Sequence, residues 1–422
     1  MKKRFVSLVA CGVLAAGAVA GFTGCSEDSL TVWGSAAQQE TLRAMVEEFK
    51  KANPDLEYNI KVGICEEEWA YSNVSKDPSA AADVYCYSND QLIPLLRCGG
   101  LAELGGQFLE TVKTENSSES VASGAVGWGT DNEKVYGYPY ASDNGYFMFY
   151  DKSVVTEEQA KTLEGIIEAC SNAGKKIGWA LDTPWYTAGW FFTFGCTYNV
   201  EYDDKYAETS VSIDFDGEGG VKASKAMAKL TSATFANDSN KKVFAGKNTS
   251  NTTNIDGFSD HSMAVAVSGT WNANKIKELL GENYGVCALP TVTVDSETKQ
   301  LYSFKGYKLF GVNPHSKDLV TAHKLAAFLS SGDMQEERFE KHLVGPTNTV
   351  VSNLPAVVAD PAIKALNAQN AFAKEQTSVP SNFWEPIKTY ALYIIDGLAT
   401  EANYQSQLKT AVDQIRNSVT NK

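Results

Sequence analysis

The feature of the sequence that most constrains its fold is a regular alternation of strand-like and helix-like segments. The apolar stretch 30–34 (LTVWG) is followed by apolar residues at helical spacing from Leu42 to Phe49, and then by the extended stretch 56–64. The same order of strand, helix and strand recurs within 262–290. This alternation predicts an α/β architecture with largely parallel sheets, and a chain of 422 residues is long enough for more than one sheet.

Further segments extend the pattern. The run 82–87 (ADVYCY) predicts a buried strand, and Asp90 is a candidate cap for the helix that follows it. A second helix is predicted to begin at Thr156 and to end at Gly174. The tract 237–254 is rich in Asn, Ser, Thr and Lys and is interpreted as an exposed connection.

The charge balance excludes some classes of partner. The chain carries 37 basic and 51 acidic side chains and a formal net charge of −14. A surface of this sign repels nucleic acid and anionic membranes, so we expect no nucleic-acid partner. With 43% hydrophobic and 21% charged residues, the chain is expected to be a packed globular protein.

The N-terminus has the pattern of an export signal. Three basic residues, Lys2 to Arg4, precede the uncharged apolar run 5–22. The sequence FTGC that ends at Cys25 resembles the lipobox of bacterial lipoproteins, which implies removal of residues 1–24, lipidation of Cys25 and a short linker at 25–29. A transmembrane anchor and an ordinary cleaved signal are the alternatives; both are less favoured because the run is short for a membrane span and is interrupted by glycines.

The remaining cysteines show no metal or redox spacing. No CxxC pair occurs among the six, and a chain of this size does not need disulfides to fold. We expect most of them to be buried free thiols: Cys65, Cys86, Cys98, Cys170, Cys196 and Cys287.

Common catalytic motifs are missing from the sequence. It contains no GxSxG, no HExxH and no GxxxxGK[ST], and its four histidines are isolated. We therefore predict no catalytic residues, no metal site and no cofactor. A pair of carboxylates suited to glycoside hydrolysis stays open, because its two members can lie far apart in sequence.

Three tryptophans carry a positive signal. Trp185, Trp271 and Trp384 each stand in a predicted turn at the end of a regular element, which is where open α/β sheets bind ligands. Each alone could be a core residue. Together they indicate aromatic rings that face a cleft, where the apolar C–H faces of a sugar stack on indoles while carboxylates bind its hydroxyls.

Eight segments, in order, resemble the extracytoplasmic solute-binding proteins of carbohydrate ABC transporters, especially those of the maltose-binding type. They are LTVWGSAAQQETLRAMVEEFKKANP, AADVYCYSNDQLIPLLRCGGLAEL, VYGYPYASDNGYFMFYDKSVV, DTPWYTAGWFFTFG, HSMAVAVSGTWNANKI, YGVCALP, GYKLFGVNPHSKDLVTAHKLAAFL and VPSNFWEPI. The resemblance covers nearly the whole chain after the signal. It implies a two-lobe periplasmic-binding-protein-like fold, in which each lobe has a mainly parallel sheet flanked by helices and the ligand cleft lies between the lobes.

The resemblance also implies lobe limits. The first lobe is expected to comprise 30–141 and 306–350, and the second lobe 142–305 and 351–422.

Ligand-binding positions are implied residue by residue. Those expected to contact the ligand are Tyr87, Asp90, Asp143, Trp185, Tyr186, Trp271 and Trp384. Three single positions depart from the family pattern: Gln91 replaces an arginine, Thr183 replaces a glutamate, and Glu385 replaces an aromatic residue. The first strand also ends in GSAAQQE rather than in the Asp-Lys pair of the maltose-binding type. Gln91 and Glu385 are therefore further candidates for ligand contact, and the sugar class is better defined than the identity of the sugar.

The functional expectation follows from these features. The chain is expected to be a monomeric, lipid-anchored binding protein on the extracytoplasmic face of the cell membrane, held to the bilayer through Cys25. It would capture an oligosaccharide, of the maltooligosaccharide α-glucan type, and deliver it to the membrane permease of an ABC transporter without acting as an enzyme. The alternatives are a secreted saccharide-active enzyme, or a binder of an amino acid or polyamine, which would need charged groups for the ends of its ligand.

Overall fold

The computed structural model describes residues 29–56, 59–247, 255–417 and 419. The export signal and Cys25 lie outside these residues, so the expectations for them stay predictions. Among the described residues, none of the helices combines the length and the apolarity that a bilayer-spanning segment needs.

The strands are numbered along the chain. They are β1 (Ser29–Gly34), β2 (Asn59–Ile64), β3 (Val84–Ser88), β4 (Ala125–Val126), β5 (Lys134–Val135), β6 (Tyr138–Ala141), β7 (Phe147–Asp151), β8 (Lys176–Gly178), β9 (Tyr198–Tyr202), β10 (Glu208–Ile213), β11 (Thr234–Phe235), β12 (Asp238–Lys242), β13 (Met263–Ser268), β14 (Tyr284–Cys287), β15 (Thr291–Val294), β16 (Glu297–Gln300), β17 (Ser303–Lys305), β18 (Lys308–Val312) and β19 (Ala373–Glu375).

The helices are numbered in the same way. They are α1 (Gln39–Ala52), α2 (Ala70–Val74), α3 (Leu92–Arg97), α4 (Gly106–Glu115), α5 (Ser118–Ala122), α6 (Leu163–Ala173), α7 (Pro184–Thr193), α8 (Glu218–Ser232), α9 (Ala273–Leu280), α10 (Leu319–Leu329), α11 (Gly332–His342), α12 (Pro355–Ala359), α13 (Pro361–Asn370), α14 (Trp384–Ile395) and α15 (Tyr404–Arg416).

One sheet has the strand order β2-β1-β3-β18-β6. Strands β1, β2 and β3 run parallel, while β18 lies antiparallel to both of its neighbours. Every residue of β3 is buried: Val84 and Cys86 belong to one hydrophobic cluster, and Tyr85 and Tyr87 belong to another. A strand that is covered on both faces has a continuous apolar sequence rather than an alternation of apolar and polar residues.

A second sheet has the order β14-β7-β13-β8, in which β13 and β8 are parallel and β7 is antiparallel to β13 and β14. In each of the two sheets the strand of opposite direction comes just after a short connection from a strand outside that sheet. Strand β7 follows β6 of the first sheet through residues 142–146, and β18 follows β17 through 306–307. We call 142–146 the first crossing and 306–307 the second crossing.

The two large hydrophobic clusters follow the same division. One is built from the first sheet with α1 and α10, and the other from the second sheet with α6, α7, α8, α14 and α15. This distribution supports our proposal that the first lobe comprises 30–141 and 306–350 and the second lobe 142–305 and 351–422.

Three local predictions were wrong. Helix α6 begins at Leu163 rather than at Thr156, because the Thr162 hydroxyl accepts the Gly165 N–H and caps the helix there. The tract 237–254 is not wholly a connection, since β12 pairs with β11 within it and 248–254 lie outside the described residues. Asp90 does not cap α3: the turn 89–91 precedes the helix, and the carboxylate accepts the Ser88 hydroxyl instead.

Other local predictions are confirmed. Strands β1 and β3, helix α1 and the left-handed Gly174 at the end of α6 lie where the pattern places them, and Gly174 has a φ of 64°. The six cysteines of the described chain are free thiols, four of them buried.

Candidate functional site

Trp185 stands in the first turn of α7, directly after Pro184. Proline suits this position because its fixed φ matches a helix start, where its missing N–H costs nothing. The rest of α7 is apolar on every side and buried, so the helix is held firmly in the second lobe. The indole itself is only partly buried, and its ring centroid lies 5.0 Å from that of Tyr186 and 6.0 Å from that of Trp271.

Trp271 lies in the turn that follows β13, and 44% of its surface is exposed. Its ring covers the backbone of Gly269 so closely that a Cβ atom added there would lie 2.0 Å from the indole. Glycine at 269 therefore lets the indole approach the main chain closely just after the end of β13. The two tryptophans form an aromatic pair that is partly open to solvent.

Tyr186 and Tyr146 support this pair. Tyr186 is 9% exposed, and its hydroxyl bonds the Ser268 side chain at the end of β13. Tyr146, in the first crossing, donates through its hydroxyl to the backbone carbonyl of Trp185 at 3.2 Å. Its ring centroid is 4.7 Å from those of Trp185 and Tyr186. Tyr186 thus packs against the aromatic pair, with a small part of its own surface open to solvent.

Asp143 lies in the first crossing, in contact with the residue before Trp271, and is 1% exposed. Its Oδ2 accepts a hydrogen bond from Thr270 Oγ1 at 2.7 Å, and its Oδ1 lies 3.4 Å from Lys308 Nζ. The Lys308 ammonium also lies 5.8 Å from the centroid of the Trp271 ring. Burial lowers the pKa of Lys308, but the negative charges of Asp143 and Glu67 outweigh it, so the pKa is raised and the lysine is charged.

Asp90 is a first-lobe carboxylate that is linked to Trp185 through a shared partner. It accepts the Ser88 hydroxyl at 2.7 Å and a hydrogen bond from the Gln376 side chain. Burial raises the pKa of Asp90 to about 6; the hydrogen bonds oppose this rise and the nearby Glu68 adds to it. The amide oxygen of Gln376 accepts the Trp185 indole N–H at 2.7 Å, so Asp90 and Trp185 share one partner.

Three successive glutamates follow β2 and face the same region. The carboxylate oxygens of Glu66, Glu67 and Glu68 lie within 4.8 Å of one another. Glu66 accepts the Ala36 N–H at 2.9 Å and Glu67 accepts the Tyr140 hydroxyl at 2.7 Å. Burial, and then the neighbouring carboxylates, raise the pKa values of Glu66 and Glu68. Two of the three carboxylates therefore already accept hydrogen bonds from the protein.

Two predicted ligand contacts in the first lobe are buried against protein groups in this structure. Tyr87 is 0% exposed, and its ring packs in the core on the helix-covered face of β3, away from the aromatic pair. Gln91 is 6% exposed, and its amide accepts the Tyr71 N–H and donates to the Glu67 carbonyl. Both side chains hold the first lobe together, because β3 and the turn after it are covered on both faces.

Two predicted contacts in the second lobe lie apart from the pair. Trp384 begins α14, is partly buried, and has Phe383 as its ring neighbour at 5.2 Å rather than Trp185 or Trp271 within the described chain. The Glu385 side chain is 79% exposed and pairs loosely with Lys388 at 3.9 Å. It lines a groove between α14 and α15, so Glu385 is not gathered with the other candidates.

The sequence interpretation missed several residues of this site. Lys308, Gln376 and the three glutamates come from segments without a recognisable motif. The one usable signal was the run EEEW directly after a predicted strand, since polar side chains at strand ends gather at one edge of a sheet. Its last member, Trp69, is 56% exposed beside the carboxylates.

Two α/β lobes, joined by chain crossings and carrying partly open aromatic rings and carboxylates where they meet, define a binding protein with an interlobe cleft. The chain belongs to the bacterial extracellular solute-binding proteins, whose family model matches residues 44–365. Members of this family are extracytoplasmic and are named for binding rather than for catalysis.

Individual relatives agree with this assignment. The galactooligosaccharide-binding protein of Bacillus subtilis (strain 168) is 25% identical over 426 residues, which cover 97% of this chain and 92% of that protein. A protein solved with acarbose superposes with a TM-score of 0.80 at 31% identity, over 93% of this chain and 99% of the other. The maltodextrin-binding protein MalE1 of L. casei BL23, solved without ligand, gives a TM-score of 0.74 at 22% identity, over 92% of this chain and 98% of the other. The predicted two-lobe fold is therefore confirmed.

Proposed function

We propose that this protein captures an oligosaccharide of the maltooligosaccharide type between its lobes and delivers it to the permease of an ABC transporter. The observation that carries the proposal is the aromatic pair Trp185 and Trp271, whose ring centroids lie 6.0 Å apart beside the buried carboxylate of Asp143. We propose Asp90, Asp143, Trp185, Tyr186 and Trp271 as the ligand-binding core.

The chemistry of the site suits a neutral polyhydroxylated ligand. A pyranose has flat C–H faces that stack on indoles and an edge of hydroxyls that need acceptors. Asp90 and the three glutamates supply acceptors on the first lobe, while the rings lie on the second lobe. A ligand held between them would contact both lobes at once and so favour the closed arrangement over the open one.

The identity of the sugar rests on the relatives. The neighbours solved with acarbose and the maltodextrin-binding protein support an α-glucan, and the Bacillus relative supports a galactooligosaccharide as the competing ligand. We favour the α-glucan because the 31% identical neighbour is nearer in sequence than the 25% identical one.

We further propose that the protein acts as a monomer on the extracytoplasmic face of the membrane and is anchored through a lipid on Cys25. The FTGC motif after the apolar leader supports the anchor. A receptor held at the membrane surface stays close to its permease, which raises the effective concentration of the bound sugar there.

The test is a calorimetric titration of the protein without residues 1–25 with maltotriose, maltotetraose, a galactooligosaccharide, an amino acid mixture and spermidine. We expect binding of the maltooligosaccharides, with the sugar recovered intact by mass spectrometry. Cleavage of the sugar would show an enzyme, and preference for spermidine or amino acids would refute the proposal. Tighter binding of the galactooligosaccharide would keep the receptor role and change the ligand.

A further inference from the structure

We propose that Gln376 is a positioning residue that holds the Trp185 ring and the Asp90 carboxylate in one hydrogen-bonded unit, so that the stacking and hydroxyl-binding groups of the two lobes are set together. The inference rests on the proposed function, because it concerns the same cleft. It adds to the site a residue that lies near the second crossing and that belongs to no recognisable sequence motif.

The main chain fixes where Gln376 stands. It follows β19 directly, and β19 pairs with β17 just before the second crossing. The Gln376 N–H donates to the Lys305 carbonyl at 2.8 Å, which continues that pairing by one residue. Its side chain is drawn inward, since the residue is only 5% exposed. The main chain therefore holds the Gln376 side-chain amide in a fixed position near the second crossing.

The Gln376 side chain bonds to two hydrogen-bond donors and to one acceptor. Its Oε1 accepts the Trp185 Nε1–H at 2.7 Å and the Asn144 Nδ2–H at 3.3 Å, the second from the first crossing. Two donors on the oxygen determine which way the amide faces, so its NH₂ group is the one that bonds Asp90. One side chain thus contacts a second-lobe ring, a first-lobe carboxylate and the first crossing.

This arrangement limits how the stacking ring can move. The indole N–H is a single donor, so turning the Trp185 ring away from Trp271 would break its bond to Gln376. At position 376 leucine offers neither acceptor nor donor. Glutamate offers the acceptor at any pH but can donate to Asp90 only when it is protonated. Comparing the two substitutions therefore separates the hydrogen bond to Trp185 from the hydrogen bond to Asp90.

The experiment compares the wild type with Gln376→Leu and Gln376→Glu by measuring the Kd for maltotriose from pH 5.5 to 8.5. The Gln376→Leu variant should bind about tenfold more weakly throughout, since both partners lose a hydrogen bond. The Gln376→Glu variant should be similarly weakened at pH 8.5. The ratio of its Kd to that of the wild type should fall several-fold toward pH 6, as a shared proton restores the bond to Asp90. Glu68 and Tyr198 also face Asp90, but they are the same in all variants and cancel in this ratio.

The matched control is Gln335→Leu. Gln335 is a buried amide, 1% exposed, whose bonds go to Thr347 and other first-lobe groups. It should lower the melting temperature without changing either the Kd or its pH profile. A Gln376→Leu variant that binds like the wild type, or a Gln376→Glu ratio that is flat with pH, would overturn the inference.

A ligand-free readout separates this inference from the proposed function. The indole ¹H–¹⁵N resonance of Trp185, assigned by Trp185→Phe, should move in Gln376→Leu and should follow the titration of Asp90 in the wild type. If the wild type binds no sugar but the resonance behaves in this way, the proposed ligand fails and the positioning role stands. If the wild type binds sugar while the resonance ignores both the substitution and the pH, the positioning role fails.

Discussion

The ammonium of Lys308 lies 3.4 Å from the Asp143 carboxylate, and the two side chains are 14% and 2% exposed. Asp143 stands in the first crossing and Lys308 begins β18 directly after the second, so the ion pair joins the two passages between the lobes. Removing one partner of a buried ion pair leaves the other charge buried without a counter-charge, whereas removing both partners does not.

Replacing Lys308 by methionine should therefore lower the free energy of unfolding by about 3–5 kcal/mol, and the double change Lys308→Met with Asp143→Asn should cost clearly less than the sum of the single changes. Urea unfolding of the four proteins measures this. The exposed pair Lys409–Asp413 is the control, and Lys409→Met should cost about 0–1 kcal/mol. Additive effects at 308 and 143 would show that the pair is not coupled.

Trp185→Ala and Trp271→Ala should each weaken oligosaccharide binding by roughly tenfold to a hundredfold, with little change in melting temperature, because their rings are partly open. Trp190 is the matched control: it is 1% exposed and packs 4.7 Å from Trp179. Trp190→Ala should cost about 3–5 kcal/mol of stability. Titration calorimetry and thermal melts of the three variants measure both quantities. Lower stability with unchanged affinity in Trp185→Ala and Trp271→Ala would show that these rings are core residues and do not bind the ligand.

Sugar affinity should fall as the pH is lowered through about 6, because burial raises the pKa of Asp90 to about 6 and a protonated carboxyl accepts hydroxyls poorly. The free energy of unfolding should change in the opposite direction and increase as the pH is lowered. The folded state holds this proton more tightly than the unfolded state, whose carboxyl titrates near 3.8, so the free energy of unfolding falls as the pH rises through that window. Asp90→Asn should remove both dependences in a pH series of titrations and melts. Retention of the affinity profile in that variant would assign it to Glu66 or Glu68.

Cys25→Ser should release the protein from membranes into the soluble fraction, because the thiol that carries the lipid is gone. Cell fractionation followed by immunoblotting measures this. A neighbouring change, Ser26→Ala, leaves the thiol in place and should stay with the membranes. Equal membrane retention of both variants would contradict the lipid anchor.

The parts of the fold that were predictable from the sequence are those fixed by local pattern. Helix α1 has an apolar face at helical spacing, and Gly174 ends α6 because a left-handed residue is needed there. The start of α6 was misplaced because Thr156 and Thr162 are both plausible caps, and tertiary packing selects between them.

Trp271 was singled out from its position at the end of a regular element and Asp143 only through the family resemblance, and the structure places both in the region of Trp185 and Thr270. Tyr87 was assigned to the ligand only through the family resemblance; the continuous apolar run of β3, which is covered on both faces, does not indicate which of its side chains face a cleft. Gln376 was missed because its three partners, Asp90, Asn144 and Trp185, are distant in sequence and meet only after both lobes have formed.

The position of β18 has a consequence for how the protein is made. This strand lies between β3 and β6, so it completes the middle of the first sheet rather than its edge. A growing chain that has not yet reached residue 312 leaves β3 and β6 without the neighbour that joins them. Pairing over such a long sequence separation is slow. The newly synthesised chain should therefore stay unfolded long enough to be threaded through an export channel, and the first lobe should mature only after most of the polypeptide has crossed.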